Sequence, residues 1–419
     1  MLYSMYDARS RALAPVRLMA EATRLTFVNP FHPLSWTPLG RMMAAGSGVI
    51  ESLLAERGKP EWGIDEVSVD GTSYPVEIEP VLSQPFGDLV RFKKAGFSRP
   101  QSRILLVAPM SGHFATLLRD TVRALLIENE VWITDWRDAA QVPKSEGRFG
   151  VDAYMQYLMD FLAHLHAEDP RPVHIMAVCQ PAPLVLATVA LLAEEKAPHC
   201  PASMVLMGGP VDTRAASTVV TQVAENRSIP WFERHVIHRV PARFPGANRK
   251  VYPGFLQLRA FWSMNPARHA GAHWSMYKHL VRGDGESAER TQTFYDEYMA
   301  VADVAADFFL ETVDHVFRRH SLPKGEMMWK GRLVRPETIR DVGLMTVEGE
   351  LDDISAPAQT EAAHDICPNI PEALREHLLQ ENVGHYGIFN GRRWREQICP
   401  QIGAFVRRME AGDVKQDAA

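Results

Sequence analysis

The sequence predicts an α/β protein with a doubly wound, mostly parallel sheet, an N-terminal helical extension and a helical insertion that splits the sheet. Three observations predict it. Between Pro100 and Val211 short apolar strands alternate with helical stretches. The alternation stops from about Thr213 to Arg335, where the text turns helical and aromatic, and it resumes at Val342.

Composition sets the outer limits. The chain has 419 residues, 46% of them hydrophobic and 23% charged, which is ordinary for a globular protein and excludes collagen, disulfide scaffolds and disorder. At about 150 residues per domain, the length allows two or three domains or one large domain carrying an insertion. Forty-five basic against 51 acidic residues give a net charge of −6, so nucleic acid is not an expected partner. The longest nearly apolar run, Leu184 to Ala193, falls short of the roughly 20 residues that cross a bilayer, so no transmembrane segment is expected. Charged residues interrupt the first 24 positions, so a standard signal peptide is not expected either. Cys179, Cys200, Cys367 and Cys399 lack CxxC or zinc-type spacing, which fits a reducing cytoplasm and no metal.

Along the chain, residues 1–60 form the helical extension, with apolar residues at three- and four-residue intervals around the turn-rich NPFHPLSWTPLG. Residues 61–212 hold the first part of the core. It opens with alternating strands about an Asp70-Gly71 turn, followed by strands near 104–110, 131–136, 173–179 and 202–211 and helices near 113–127, 150–166 and 182–195. Residues 213–335 form a cap rich in Trp, Tyr and Phe. Residues 336–411 complete the core with strands at 342–349 and 376–383 and helices near 357–366 and 392–411. Residues 412–419 read as a disordered tail.

The sharpest chemical signal is Ala177-Val178-Cys179-Gln180-Pro181-Ala182, where an apolar strand ends on a cysteine and a helix starts two residues later, with proline suited to its first turn. A nucleophile on such a turn stands exposed, and the helix amino end favours its anionic form. A buried structural cysteine is the alternative. Two later strands end on Gly349-Glu350-Leu351-Asp352-Asp353 and Val383-Gly384-His385. The order nucleophile, acid, histidine is that of α/β-hydrolases, although either aspartate could equally serve as a turn or N-cap carboxylate. On this pattern Cys179 attacks, His385 takes the thiol proton and later activates water, and Asp352 holds the imidazole tautomer. The backbone N–H groups of Gln180 and of Ser111, in the loop after the strand at 104–110, are the expected oxyanion donors. The glycines usual on either side of the nucleophile turn are replaced by Ala177 and Pro181.

At VCQP, VEGELDDIS and VGHYGIFNGRRWR, and also at MLYSMYDARSRALAPVR, SQPFGDLVRF and YDEYMAVADVAADFFLETV, the chain resembles the intracellular polyhydroxyalkanoate depolymerases, which degrade stored poly(3-hydroxybutyrate). The resemblance implies an α/β-hydrolase fold, a Cys179–Asp352–His385 triad, no cofactor, and a polymer granule in the cytoplasm as partner. It leaves open whether the chain forms a homo-oligomer. More distantly the chain is similar to polyhydroxyalkanoate synthases, which use the same three residue types and carry G-x-C-x-G around the cysteine. An acyltransferase or coenzyme A-dependent thiolytic enzyme is therefore the rival within the class, and a noncatalytic granule protein the rival outside it. Most of the cap aromatics are expected to pack internally. Trp262, Trp274 and Tyr298 are expected to contact an apolar substrate. Arg318-Arg319-His320 and Arg392-Arg393 read as solvated helix faces.

Overall fold

The computed structural model describes residues 2–55, 57–264 and 266–411; the tail from residue 412 lies outside the described residues. Its centre is a nine-stranded sheet in the order β1-β2-β3-β5-β4-β6-β7-β13-β14. Strands β1 (Glu66–Val69), β2 (Thr72–Gln84) and β3 (Gly87–Lys94) form an antiparallel entry, with Asp70 and Gly71 both at positive φ in the first turn. Strand β5 (Asn129–Trp136) joins β3 antiparallel and β4 (Ser102–Val107) parallel. Strands β6 (Val173–Val178), β7 (Ser203–Met207), β13 (Gly343–Gly349) and β14 (Arg375–Gln380) continue in parallel.

Burial explains the text of these strands. Every residue of β4, β6, β7 and β13 is buried, as expected for parallel strands covered on both faces by helices. The covering helices are α3 (Arg119–Leu126), α4 (Val151–Glu168), α5 (Ala182–Glu194), α12 (Ala363–Ile366), α13 (Gly391–Arg393) and α14 (Cys399–Ala411). Helix α5 is buried from Ala182 to Leu192, which is why it is apolar on every side.

Two helices begin later than the sequence suggests. The stretch at 113–127 opens with a 3₁₀ turn over Ala115–Leu118 before α3, because the cap holds the preceding loop: Ala302 N–H donates to Gly112 O at 2.8 Å. The stretch at 357–366 is helical only over α12. Ala358 sits at φ +77°, and the amides of Ala358, Thr360 and Glu361 converge on the buried carboxylate of Glu348 at 2.8, 2.6 and 3.0 Å.

Helices α1 (Leu2–Val28) and α2 (Pro38–Leu54) fold back on one another as a hairpin. The cap between β7 and β13 holds α6 (Val219–Glu225), α7 (Ile229–His235), α8 (Gly254–Met264), α9 (Pro266–Arg282), α10 (Gly285–Tyr298) and α11 (Ala306–Thr312). It also contains the short strands β8 (His238–Arg239), β9 (Lys250–Tyr252), β10 (Val304–Ala305), β11 (Met328–Trp329) and β12 (Arg332–Leu333). Helix α11 runs directly into a π-helical turn over Val313–Arg318. Among the described residues no helix is long and apolar enough to cross a membrane.

Candidate active site

Cys179 follows β6 directly and stands at φ +66°, a conformation that costs a non-glycine residue about 1–3 kcal/mol and persists only where the surroundings impose it. Its N–H donates to Met207 O at 2.7 Å and its carbonyl accepts from Ala182 N–H at 3.1 Å, so the turn is clamped on both sides. The space that elbow glycines usually provide comes from the neighbouring strand. A Cβ on Gly209 would lie 2.2 Å from Ala182 Cβ and 2.8 Å from Cys179 O, and Gly208 stands at φ +51°. Sequence reasoning missed this pair, although a Gly-Gly at the end of a core strand was a visible signal.

Three loops meet at the cysteine. Asp352, past the end of β13, is buried, and its Oδ1 accepts from the amides of Ile354 and Ser355, both at 2.9 Å. Its Oδ2 lies 2.7 Å from His385 Nδ1, in the loop after β14. Asp353, the neighbour on the chain, is exposed. His385 is buried, hydrogen-bonded to Asp352, and lines the same cavity as Cys179. Burial opposes its protonation, but the negative charges of Cys179 and Asp352 outweigh burial and raise its pKa well above the ordinary imidazole value. The other thiols differ in kind. Burial pushes Cys200, Cys367 and Cys399 up to about 12, which leaves them unreactive near neutrality.

The predicted oxyanion residues face the same space. Gln180 and Ser111 line the cavity that contains Cys179 and His385, and neither backbone amide has a hydrogen-bond partner among the described residues. The amide of Met110 is occupied, donating to Gln180 Oε1 at 3.1 Å, which ties the 109–113 loop to the elbow. The cap fixes that loop from the other side. His113, buried, pairs through Nε2 with Tyr298 O at 3.1 Å, and burial lowers its pKa to about 4 against the pull of that carbonyl. A Cβ on Gly112, at φ +97°, would collide with the Gln257 side chain at 2.6 Å.

The cavity has a volume of about 320 Å³ and is walled mainly by apolar cap residues, among them Val220, Phe232, Phe308, Phe309, Val313 and Phe317. The three aromatics expected to touch substrate do not line it. Trp262 stacks on His269 at 4.9 Å within the cap. Trp274 stands 61% exposed on α9, stacked on Tyr277, while Tyr298 is buried against Phe294 and Tyr386. Helical spacing does not tell which face a side chain presents; the cavity takes its rings from α7, α11, the π-helical turn, Tyr252 of β9, and Tyr386 and Phe389 beyond β14 instead. In the basic cluster at 318–320 only Arg319 is on a solvated face. Arg318 donates to the carbonyls of Ala224 and Arg227, and His320 is buried beside Thr213 at 3.0 Å.

Among the described residues, Glu348, Glu361 and His377 bring three metal-type ligand atoms within 4.8 Å of one another, away from the cavity. Glu348 already accepts the three amides named above, so its carboxylate is committed to holding the loop that carries Asp352.

No curated protein matches this chain. Among solved structures it is similar to a soluble variant of monoglyceride lipase from Saccharomyces cerevisiae, at 12% identity and a TM-score of 0.47, over 82% of this chain and 97% of that one. It is also similar to a thermophilic esterase from Thermogutta terrifontis, at 13% identity and 0.43, over 82% and 98%. A third is the monoacylglycerol lipase of Paleococcus ferrophilus, at 11% identity and 0.42, over 76% and 99%. The family model described as PHB de-polymerase C-terminus matches residues 208–410, a span that opens on Gly208 and includes the whole cap, Asp352 and His385. By that match residues 208–410 belong to the PHB depolymerase family, and the chain is a carboxylic ester hydrolase.

Proposed function

We propose that the chain is a cysteine-dependent depolymerase that hydrolyses the ester bonds of amorphous poly(3-hydroxybutyrate) and related polyhydroxyalkanoates at storage granules in the cytoplasm. One observation carries the proposal: Asp352 is hydrogen-bonded to His385, which meets Cys179 in an apolar cavity, with the cysteine on a strained turn before a helix. Apolar walls suit a polyester segment, which has carbonyl acceptors, no charge and no donors along its length.

In this mechanism His385 takes the thiol proton and Cys179 Sγ attacks the ester carbonyl carbon. The carbonyl electron pair moves onto oxygen, where the amides of Gln180 and Ser111 hold it. Collapse of the tetrahedral species expels the alcohol end of the cleaved chain, which leaves with the proton from His385, and a thioester remains on Cys179. Water then gives a proton to His385 and attacks the thioester. The hydroxyacid or oligomer departs as the carboxylic acid product, and Cys179 regains its proton. Asp352 keeps the imidazole in the tautomer that presents Nε2 to the sulfur throughout.

The test gives purified protein amorphous, native-like polymer granules and measures soluble 3-hydroxyacids or oligomers, with free coenzyme A thiol followed in parallel. Soluble product without coenzyme A is expected. Polymer growth with thiol release from 3-hydroxybutyryl-CoA would make the protein a synthase-like acyltransferase, and product that forms only when coenzyme A is supplied would make it thiolytic. Retention on granules with no ester cleavage at all would make it a noncatalytic granule protein.

A further inference from the structure

The α1–α2 hairpin exposes far more apolar surface than its length would suggest. Among the described residues, fifteen of the 23 exposed large apolar side chains lie at or before Leu53, in a chain of 419 residues. They culminate at the hairpin's turn, where Phe31 is 93% exposed, Trp36 74% and Leu39 61%. Apolar side chains scattered singly over a surface need no explanation, but a concentration of this kind marks a contact site. The turn is also free of charge. Residues 25–40 contain no Asp, Glu, Lys or Arg, although 23% of the chain is charged. Beside the turn a groove of about 510 Å³ separates the hairpin from α9 and α10, with Val28, Trp36, Met276 and Leu280 in its walls. Arg41, at its rim, has no partner among the described residues and so offers free donors.

We propose that this turn is the surface by which the enzyme docks on amorphous polyester, a role that rests on the depolymerase function proposed above. Charge argues for that occupant. The polymer is neutral, apolar and rich in carbonyl acceptors, and it meets an uncharged apolar turn beside an unpaired guanidinium. An anionic lipid surface calls for a basic rim, whereas residues 25–40 supply no cation and, of the three arginines along the groove, Arg24 and Arg57 are neutralised by Glu51 and Asp296, which leaves Arg41 alone. A second copy of this chain calls for a self-complementary patch, whereas Phe31 projects almost wholly into solvent and Trp36 is 74% exposed beside it, as side chains that enter a soft amorphous surface would be. The position suits the task. Helix α8 packs Phe255 against Tyr3 and Tyr6 of α1, at ring distances of 5.5 and 4.4 Å, while its Ala260 and Ser263 line the Cys179 cavity. One helix therefore joins the docking hairpin to the site that cleaves.

The test compares the native chain with a variant carrying Phe31→Ser, Trp36→Ser and Leu39→Ser. It measures co-sedimentation with protein-free amorphous poly(3-hydroxybutyrate) particles, hydrolysis of those particles, hydrolysis of a soluble chromogenic ester, and oligomeric state. The variant should need on the order of tenfold more particle surface for half-maximal binding, since three large apolar contacts are lost. It should lose particle hydrolysis in proportion and keep the soluble-ester rate. Equal particle binding by variant and native chain would overturn the proposal. So would a native chain that ignores particles, one that prefers anionic phosphatidylglycerol vesicles, or a variant whose only change is a smaller oligomer. A native chain that sediments with particles through these residues yet cleaves neither substrate would sustain docking and sink the depolymerase function, so the two failures are distinguishable.

Discussion

Gly208 leaves room for His385. A Cβ built on Gly208 would lie 3.4 Å from His385 Cε1, 3.3 Å from Asp352 Oδ2 and 2.6 Å from Ile388 Cδ1. The residue also stands at φ +51°, so a side chain there is opposed twice, by backbone strain and by the packing of the catalytic loop. Gly208→Ala should cost about 1–3 kcal/mol of stability. It should also reduce the rate of ester cleavage by on the order of tenfold or more, because a small displacement of a general base is expensive. Thermal unfolding and kcat on a soluble ester check the two effects, and an unchanged kcat would show that the imidazole tolerates the shift.

Removal of the Cys179 sulfur should abolish ester cleavage without unfolding the chain. The side chain is only half-buried, and the turn is held by backbone hydrogen bonds to Met207 and Ala182 that alanine keeps. Cys179→Ala should therefore show native circular dichroism and no thioester on mass analysis after incubation with substrate. Activity above a few per cent of native would remove the nucleophile assignment.

Legibility in the sequence followed from which physical signal each feature leaves. The parallel strands at β4, β6, β7 and β13 were plain because burial on both faces writes continuous apolar runs. Cys179, Asp352 and His385 could be marked because each follows a strand, where loops carry chemistry. The Gly208–Gly209 pair was visible as glycines at a strand end, but its contribution to the elbow was not, because the contact it relieves is with residues beyond another strand. The substrate aromatics failed for a related reason: a tryptophan at helical spacing looks the same whether it faces a cavity, as none of Trp262, Trp274 and Tyr298 does, or a neighbouring helix. The late starts of α3 and α12 depend on contacts with Ala302 and Glu348, which lie far away or across a turn.

Glu348 should prove structural. Its carboxylate is buried and accepts three backbone amides, which shapes the loop between Asp352 and α12. Glu348→Gln keeps the shape but turns an NH₂ donor toward N–H donors, leaving buried groups unsatisfied. A loss of about 1–3 kcal/mol in unfolding free energy is expected, read by denaturant titration. No measurable loss would mean that water replaces the missing acceptor.

Of the two adjacent carboxylates, Asp352 should carry the catalytic burden. Its side chain is fully buried with Oδ2 on His385 Nδ1, whereas Asp353 is exposed. Asp352→Asn leaves a group that can donate to Nδ1 and so favours the wrong imidazole tautomer, which in a serine protease lowers kcat by about 10⁴. Asp353→Asn should stay within a factor of about two, as surface changes usually do. If Asp353→Asn is the crippled variant, the orienting acid has been misassigned.

The pH profile tests the electrostatics of the same pair. Burial alone would push the His385 pKa down, but the charges of Cys179 and Asp352 raise it well above its ordinary value of 6.5. The departing alcohol needs the proton of the imidazolium, so formation of the thioester should persist through neutrality and fall as pH rises through the raised folded-state pKa. The alkaline limb of kcat/KM on a soluble ester should therefore lie well above 6.5. Asp352→Asn removes one of the two raising charges and leaves burial in place, so in that variant the residual activity should lose its alkaline limb at lower pH than in the native chain. The direction of that movement is the decisive reading, since it follows from the sign of the Asp352 charge and not from how far activity has dropped. An alkaline limb that stays fixed, or moves upward, in Asp352→Asn would mean that His385 does not titrate against Asp352 in the working enzyme.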